Sequence, residues 1–208
     1  MKLFDFGLVV ALLGCLLCPT SGCSSNSGAN RPRDSAASWT PLSKLSEQQS
    51  QQKDQALAAK EKLLSLLLGE LMTSLGDKGP AMSIRVCKTR APEIAAQVNE
   101  ETGIQIGRTS FNLRNTENAA PEWAVNFVNE KVETPVEVAL PDEELGVLLP
   151  IHLQATCTLC HGNDDQIMPE VRAAISSNYP DDKATGFAEG DLRGYFWIQV
   201  PSLEKTKK

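Results

Sequence analysis

Apolar residues follow a helical period in the first half of the chain and an alternating period in the second. Between Pro41 and Leu75 there is no further proline and one glycine, Gly69. Leu64, Leu68, Leu71 and Leu75 recur at alternating steps of four and three, as they would along one face of a helix. This stretch predicts a long amphipathic helix, polar in its Gln-rich first half, more buried in its second, and stopped by Gly76. Gly79-Pro80 opens a second helix, because proline suits a first helical turn. Its apolar positions Ile84, Cys87, Ala91, Ile94 and Val98 share one face, which puts Cys87 on the buried side. Pro92 is where this helix is expected to kink or divide.

After Gly103 the texture changes. Residues 104–109 alternate like a half-buried strand, and 114–118 read as a turn or loop. A short helix follows over 121–131, with Trp123 and Phe127 on one side. Strands are expected over 133–140 and 146–155, the second at an edge or bulge because of Pro150. Residues 169–177 read as helical, 179–191 as a loop and 194–200 as an aromatic strand. Tyr195, Phe196 and Trp197 are expected in the sheet core, with one ring near any bound group. Helices first and strands later indicate an α+β domain, an antiparallel sheet with helices at one face or end.

The N-terminus has a different character. Lys2 precedes an apolar run over residues 6–17, too short to cross a bilayer and suited to an export signal, although Asp5 is unusual there. Thr20-Ser21-Gly22-Cys23-Ser24-Ser25 looks like a lipoprotein processing site with Cys23 as the lipidated residue. Leu12-Leu13-Gly14-Cys15 is the rival, and Cys23 is preferred because the polar tether begins there. Ser24 is compatible with outer-membrane sorting. The expected location is the periplasmic side of a bacterial membrane, held by a lipid anchor. The chain of 208 residues carries 20 basic and 26 acidic groups, a net charge of -6, so nucleic acid is not an expected partner.

The candidate chemistry lies in Cys157-Thr158-Leu159-Cys160-His161-Gly162. Two thiols two residues apart followed by histidine form the attachment pattern of c-type haem. Cys157 and Cys160 make thioether bonds to the two vinyl groups, and His161 serves as fifth iron ligand. A redox disulfide or half a zinc site would use the same cysteine spacing. The first gains nothing from the histidine, and for the second the rest of the mature chain offers only Cys87 and His152. With Cys15 and Cys18 lost in the signal and Cys23 lipidated, Cys87 is left over. Candidates for the sixth ligand are Met72, Met82, Met168, His152 and Cys87. Methionine is common at that position, though Met72 fits the leucine stripe and Met82 sits on another face from Cys87. Arg108, Arg114 and Arg193 are candidates to pair with the haem propionates.

Several stretches together carry a family resemblance: Cys87-Lys88 with Ala91-Pro92; Gly107-Arg108-Thr109-Ser110 with Arg114-Asn115 and Asn118; Cys157 to Gly162; Tyr179-Pro180-Asp181 with Ala184-Thr185-Gly186-Phe187; and Gly190-Asp191 to Gly194. In this order they resemble the exported haem c proteins of unknown function with a PAS-like fold, a family also found as a sensing domain of bacterial histidine kinases. Thr116 stands where the family tends to have proline, and the residues around Asn118 and Pro121 look shifted by about one. The resemblance covers residues 57–200. It implies a PAS-like antiparallel sheet with long N-terminal helices and one covalently bound haem c. It also implies His161 and a cysteine as axial ligands, and Cys87 is the matching position.

The expected organisation is a signal at 1–22, a tether at 23–40 and a haem domain at 41–203, with helices over 41–100 and the sheet and haem motif over 104–200. The expected function is a membrane-anchored monohaem cytochrome that transfers electrons or responds to redox state with an unidentified partner protein. The alternative is a gas or redox sensor acting through a separate signalling protein. An enzyme is not expected. The exposed half of the first helix is a place where two copies could pair.

Overall fold

The structure, a computed structural model, describes residues 39–203. The signal, the proposed lipidation site Cys23, its rival Cys15, and Cys18 lie outside the described residues.

The longest helical element, α1 (Glu47–Thr102), starts at Ser46. The Ser46 hydroxyl accepts from the Gln49 backbone N–H at 3.2 Å, and the Gln49 side chain accepts from the Ser46 N–H at 2.9 Å. This reciprocal cap satisfies two donors that a helix start otherwise leaves open. The start falls six residues later than 41, because the preceding segment joins the sheet instead: Leu42 N–H donates to the Glu137 carbonyl at 2.8 Å.

α1 is folded back on itself. Gly79 has φ 76° and ψ 171°, a region open essentially to glycine alone. The arms, 47–78 and 80–102, run antiparallel. Ser83 donates to Ser74 at 3.0 Å, Arg90 lies 3.6 Å from Glu70, and Lys62 pairs with Glu101. The two expected helices are thus present. The break lies at Gly79 rather than Gly76, and the second arm remains helical through Pro92. It ends at Gly103, whose φ of 68° and N–H bond to Asn99 O form a left-handed cap.

The expected burial of the first arm is reversed. Its Gln-rich part holds the buried face, Gln52, Ala56, Ala59 and Leu63, whereas Leu68 is 43% exposed and Met72 55%. The reason is geometric. The start of the first arm and the end of the second cover the sheet, and the leucine stripe past Leu64 lies beyond it. Alanines let the arm approach closely, and Gln52 donates to the carbonyls of Glu143 at 2.9 Å and Pro201 at 3.0 Å, which makes its burial affordable.

The sheet comprises β1 (Gln105–Thr109), β2 (Val136–Ala139), β3 (Leu145–His152) and β4 (Leu192–Val200), all antiparallel, in the order β1-β4-β3-β2. This is the α+β architecture expected. One face packs Ile106, Val147, Phe196 and Ile198 against Ala56, Leu63, Ile94 and Val98 of α1. The other carries Leu148 and Tyr195 against Trp123, Phe127 and Val128, from a 3-10 turn and the short α2 (Val125–Asn129). The strand expected to run to 155 ends at His152. Pro150 pairs only with Tyr195 on β4, past the end of β2, and a bulge follows at Ile151/His152, where a missing N–H disturbs no second ladder. A third cluster packs α4 (Pro169–Asn178) on the second arm through Ile84, Ile167, Val171 and Ile175.

Candidate functional site

Beyond β3, Leu153 is tied to the far loop: its N–H donates to Asp191 O at 3.0 Å and its carbonyl accepts from Gly190 N–H at 2.8 Å. A 3-10 turn (Ala155–Cys157) then runs into the single-turn helix α3 (Thr158–His161). Residues three apart share a helical side, so Cys157 and Cys160 are presented together with His161 after them. Gly162 closes the turn with its N–H on Thr158 O at 2.8 Å. A Cβ there would lie 2.6 Å from that same oxygen, so the motif's glycine is sterically required. The loop after α4 straps the motif down: Gly186 N–H donates to Gly162 O at 2.8 Å and Phe187 N–H to His161 O at 3.0 Å.

His161 Nδ1 lies 2.7 Å from the Ala184 carbonyl and 3.3 Å from Arg193 Nε. It cannot donate to one and accept from the other. The carbonyl is nearer, and Arg193 already donates through Nη1 to Ser110 Oγ at 2.8 Å and Asn112 O at 3.1 Å. The proton therefore sits on Nδ1, and Nε2 keeps its lone pair as a metal ligand needs. Burial, then the Arg114 and Arg193 charges, hold the imidazole pKa well below its ordinary value, so the ring is neutral.

Arg114 fastens this loop to the motif. It forms a bidentate pair with Asp182, at 3.0 and 3.1 Å, and its Nη2 also donates to Cys160 O at 2.7 Å and Ala184 O at 3.1 Å. Both side chains are 9% exposed. Asp182 accepts in addition from Ala184 N–H at 3.0 Å, which fixes the carbonyl that orients His161. Arg193 stacks its guanidinium 5.4 Å from the centre of the Phe187 ring, and burial lowers its pKa to about 10.

Cys87 enters from the second arm of α1. With Leu63, Ala91, Arg108, Asn115 and Asn118 it lines a cavity of about 50 Å³. Burial pushes the Cys87 thiol up, opposed by the charges of Arg108 and Arg114. Burial likewise pushes Cys160 up to about 11, against Arg114, and a charge on Cys87 would raise it further. Cys87, Cys160, His161, Arg108 and Arg114 thus form one electrostatic neighbourhood. Of the five sixth-ligand candidates, Cys87 is the one inside it. Met72, Met82 and Met168 are 55%, 47% and 41% exposed, and His152 is exposed at the end of β3. Among the described residues, no three His, Cys, Asp or Glu side chains gather as a metal-ion site of their own.

Of the three candidate arginines, Arg114 and Arg193 are held by protein acceptors. Arg108 lies on β1 opposite Phe196, on the side facing α1. Asp182, the Ala184 carbonyl, Ser110 and Tyr179 belong to the site without having been singled out for a role in the sequence. Asp182 stands in an acidic, proline-rich loop where nothing marks one carboxylate over its neighbour. A backbone carbonyl leaves no trace in a side-chain pattern.

Residues 37–201 match the Tll0287-like family, described as Tll0287. Among solved structures, that of the cyanobacterial haem protein Tll0287 is similar at a TM-score of 0.55 and 24% identity, covering 74% of this chain and 96% of that one. No curated protein matches the chain.

Proposed function

This chain belongs to the Tll0287-like family, and from that footing we propose that it is a haem-binding protein, a monohaem c-type cytochrome with His161 and Cys87 as axial ligands. The observation that carries the proposal is the state of His161. It follows two thiols at haem-attachment spacing, its Nδ1 is anchored to the Ala184 carbonyl at 2.7 Å, and Nε2 is left to bind a metal.

The side chains fit the group. Cys157 and Cys160 would each add across one vinyl double bond, sulfur to one carbon and hydrogen to the other, which needs no oxidant. Arg114 and Asp182 hold the attachment turn rigid, and Cys87 offers a sulfur from the opposite element. When bound, the haem supplies a one-electron ferric/ferrous couple, with a thiolate favouring the ferric state. The role that follows is electron transfer or redox response with a separate partner protein, outside the cytoplasm, from a lipid anchor at Cys23. No catalytic turnover is assigned.

A sensing role is the second reading, favoured by the half-buried Cys87. Burial favours its neutral thiol, so the sulfur is a labile ligand once the iron is reduced. Carbon monoxide binding after reduction supports sensing; unaltered reduced spectra under carbon monoxide support transfer alone.

Covalent attachment is tested by exporting the protein in a host that matures c-type cytochromes and extracting it with acidified acetone. The wild type retains its haem, and Cys157→Ser with Cys160→Ser loses it. Release of haem from the wild type, or no haem at all, contradicts the assignment.

A further inference from the structure

The three arginines of the site are not equivalent. Arg114 is saturated by Asp182 and two carbonyls, and Arg193 by Ser110, Asn112 O and Phe187. The Arg108 side chain makes no hydrogen bond or ion pair among the described residues, although it is only partly accessible. It stands two residues from Ile106 on β1 and so shares its face, the one that α1 covers. Of the residues lining its cavity, Cys87 is the only other ionisable one; Asn115 and Asn118 are neutral and the rest apolar or glycine. Confining a guanidinium without a counter-charge is unfavourable, and among the side chains lining this cavity only the Cys87 thiol can become an anion.

We propose that Arg108 is the charge partner of the Cys87 sulfur, a positioning residue that holds the thiolate as ligand and restrains its electron donation, rather than a partner of a haem propionate. The inference rests on Cys87 ligation as proposed above. When the thiol loses its proton to solvent on ligation, Arg108 supplies the compensating charge already in place. A cation beside a ligating sulfur draws charge from it, weakening the metal–sulfur bond and raising the reduction potential.

The test is the low-spin ferric electron paramagnetic resonance spectrum, with the midpoint potential, of the haem-loaded full chain beside Arg108→Met and Arg108→Lys. A stronger thiolate donor narrows the spread of the three g values. Arg108→Met is expected to narrow the spread and lower the potential, and Arg108→Lys to restore both in part. A lowered potential with unchanged g values overturns the proposal and assigns the charge to a propionate. If Arg108→Met does not accumulate, Arg108→Lys carries the test, since a displaced charge should move the g values and unmoved values overturn the proposal. A wild-type spectrum without the narrow spread of a thiolate complex overturns Cys87 ligation itself, which separates the two failures.

Discussion

His161 owes its tautomer to a chain of contacts that ends on one carboxylate. Asp182 fixes Ala184 through its N–H and Arg114 through two bonds, and the Ala184 carbonyl in turn holds Nδ1. Removing the Asp182 charge leaves Arg114 confined without a counter-ion, which typically costs about 3–5 kcal/mol. Asp182→Ala should therefore lower the unfolding free energy, read from the denaturation curve, by an amount in that range, and by much more than Asp181→Ala, whose residue is exposed. Equal small effects would remove Asp182 from this role. Gly194 is a second sensitive position: a Cβ there would lie 2.3 Å from the Thr109 carbonyl. Gly194→Ala must push β1 from β4 beside Ser110 and Arg193, and overpacking of this kind costs about 1–3 kcal/mol, measurable by urea unfolding. At this scale the Cys157–Gly162 run stood out in the sequence because its residues are compressed into adjacent positions. The Arg114–Asp182 pair was not, because its partners are distant in sequence and either could have been a solvated surface charge.

Among the elements, α1 decides where Cys87 stands. Its hinge depends on Gly79, whose φ of 76° and ψ of 171° strain any other residue by about 1–3 kcal/mol. Gly79→Ala should destabilise the protein by that amount, whereas Gly76→Ala, at an ordinary helical position, should be neutral or slightly stabilising. A reversed ranking in thermal unfolding would place the break at Gly76, as the leucine pattern suggested. That pattern located both helices and put Cys87 on the inward face, since Ile84, Ala91, Ile94 and Val98 are all buried beside it. It misjudged which half of the first arm is covered, because periodicity identifies a face and says nothing of how far the neighbouring layer extends. The fully buried contact ends at Leu63, with Leu64 and Leu67 partly buried at its edge, so the rest of the apolar stripe lies beyond it while two alanines and a glutamine form the close contact.

On the scale of the whole molecule, the class and order of the elements were readable from the change of period after Gly103. The strand order was not, because β1 pairs with the last strand, β4, and no local signal specifies a pairing across the length of the domain. That pairing brings Arg108 on β1 and Arg193 on β4 to the same end of the sheet as the attachment turn. Both of the chain's two tyrosines are buried, and burial pushes each pKa up to about 12. A raised phenol pKa contributes stability that is complete below the unfolded value near 10 and is lost as pH climbs from there through about 12. The protein should lose stability over that window, and phenolate absorption should appear with unfolding rather than before it. Phenolate absorption rising near pH 10 in the folded protein would show that the tyrosines are not shielded.

The central claim is that Cys87 and His161 bind one iron between the second arm of α1 and the attachment turn. The most direct measurement is the visible absorption spectrum, oxidised and dithionite-reduced, of the haem-loaded protein beside Cys87→Ser. Losing the sulfur should shift the oxidised Soret band. Identical spectra for the two proteins would contradict it and leave Cys87 as a core residue alone.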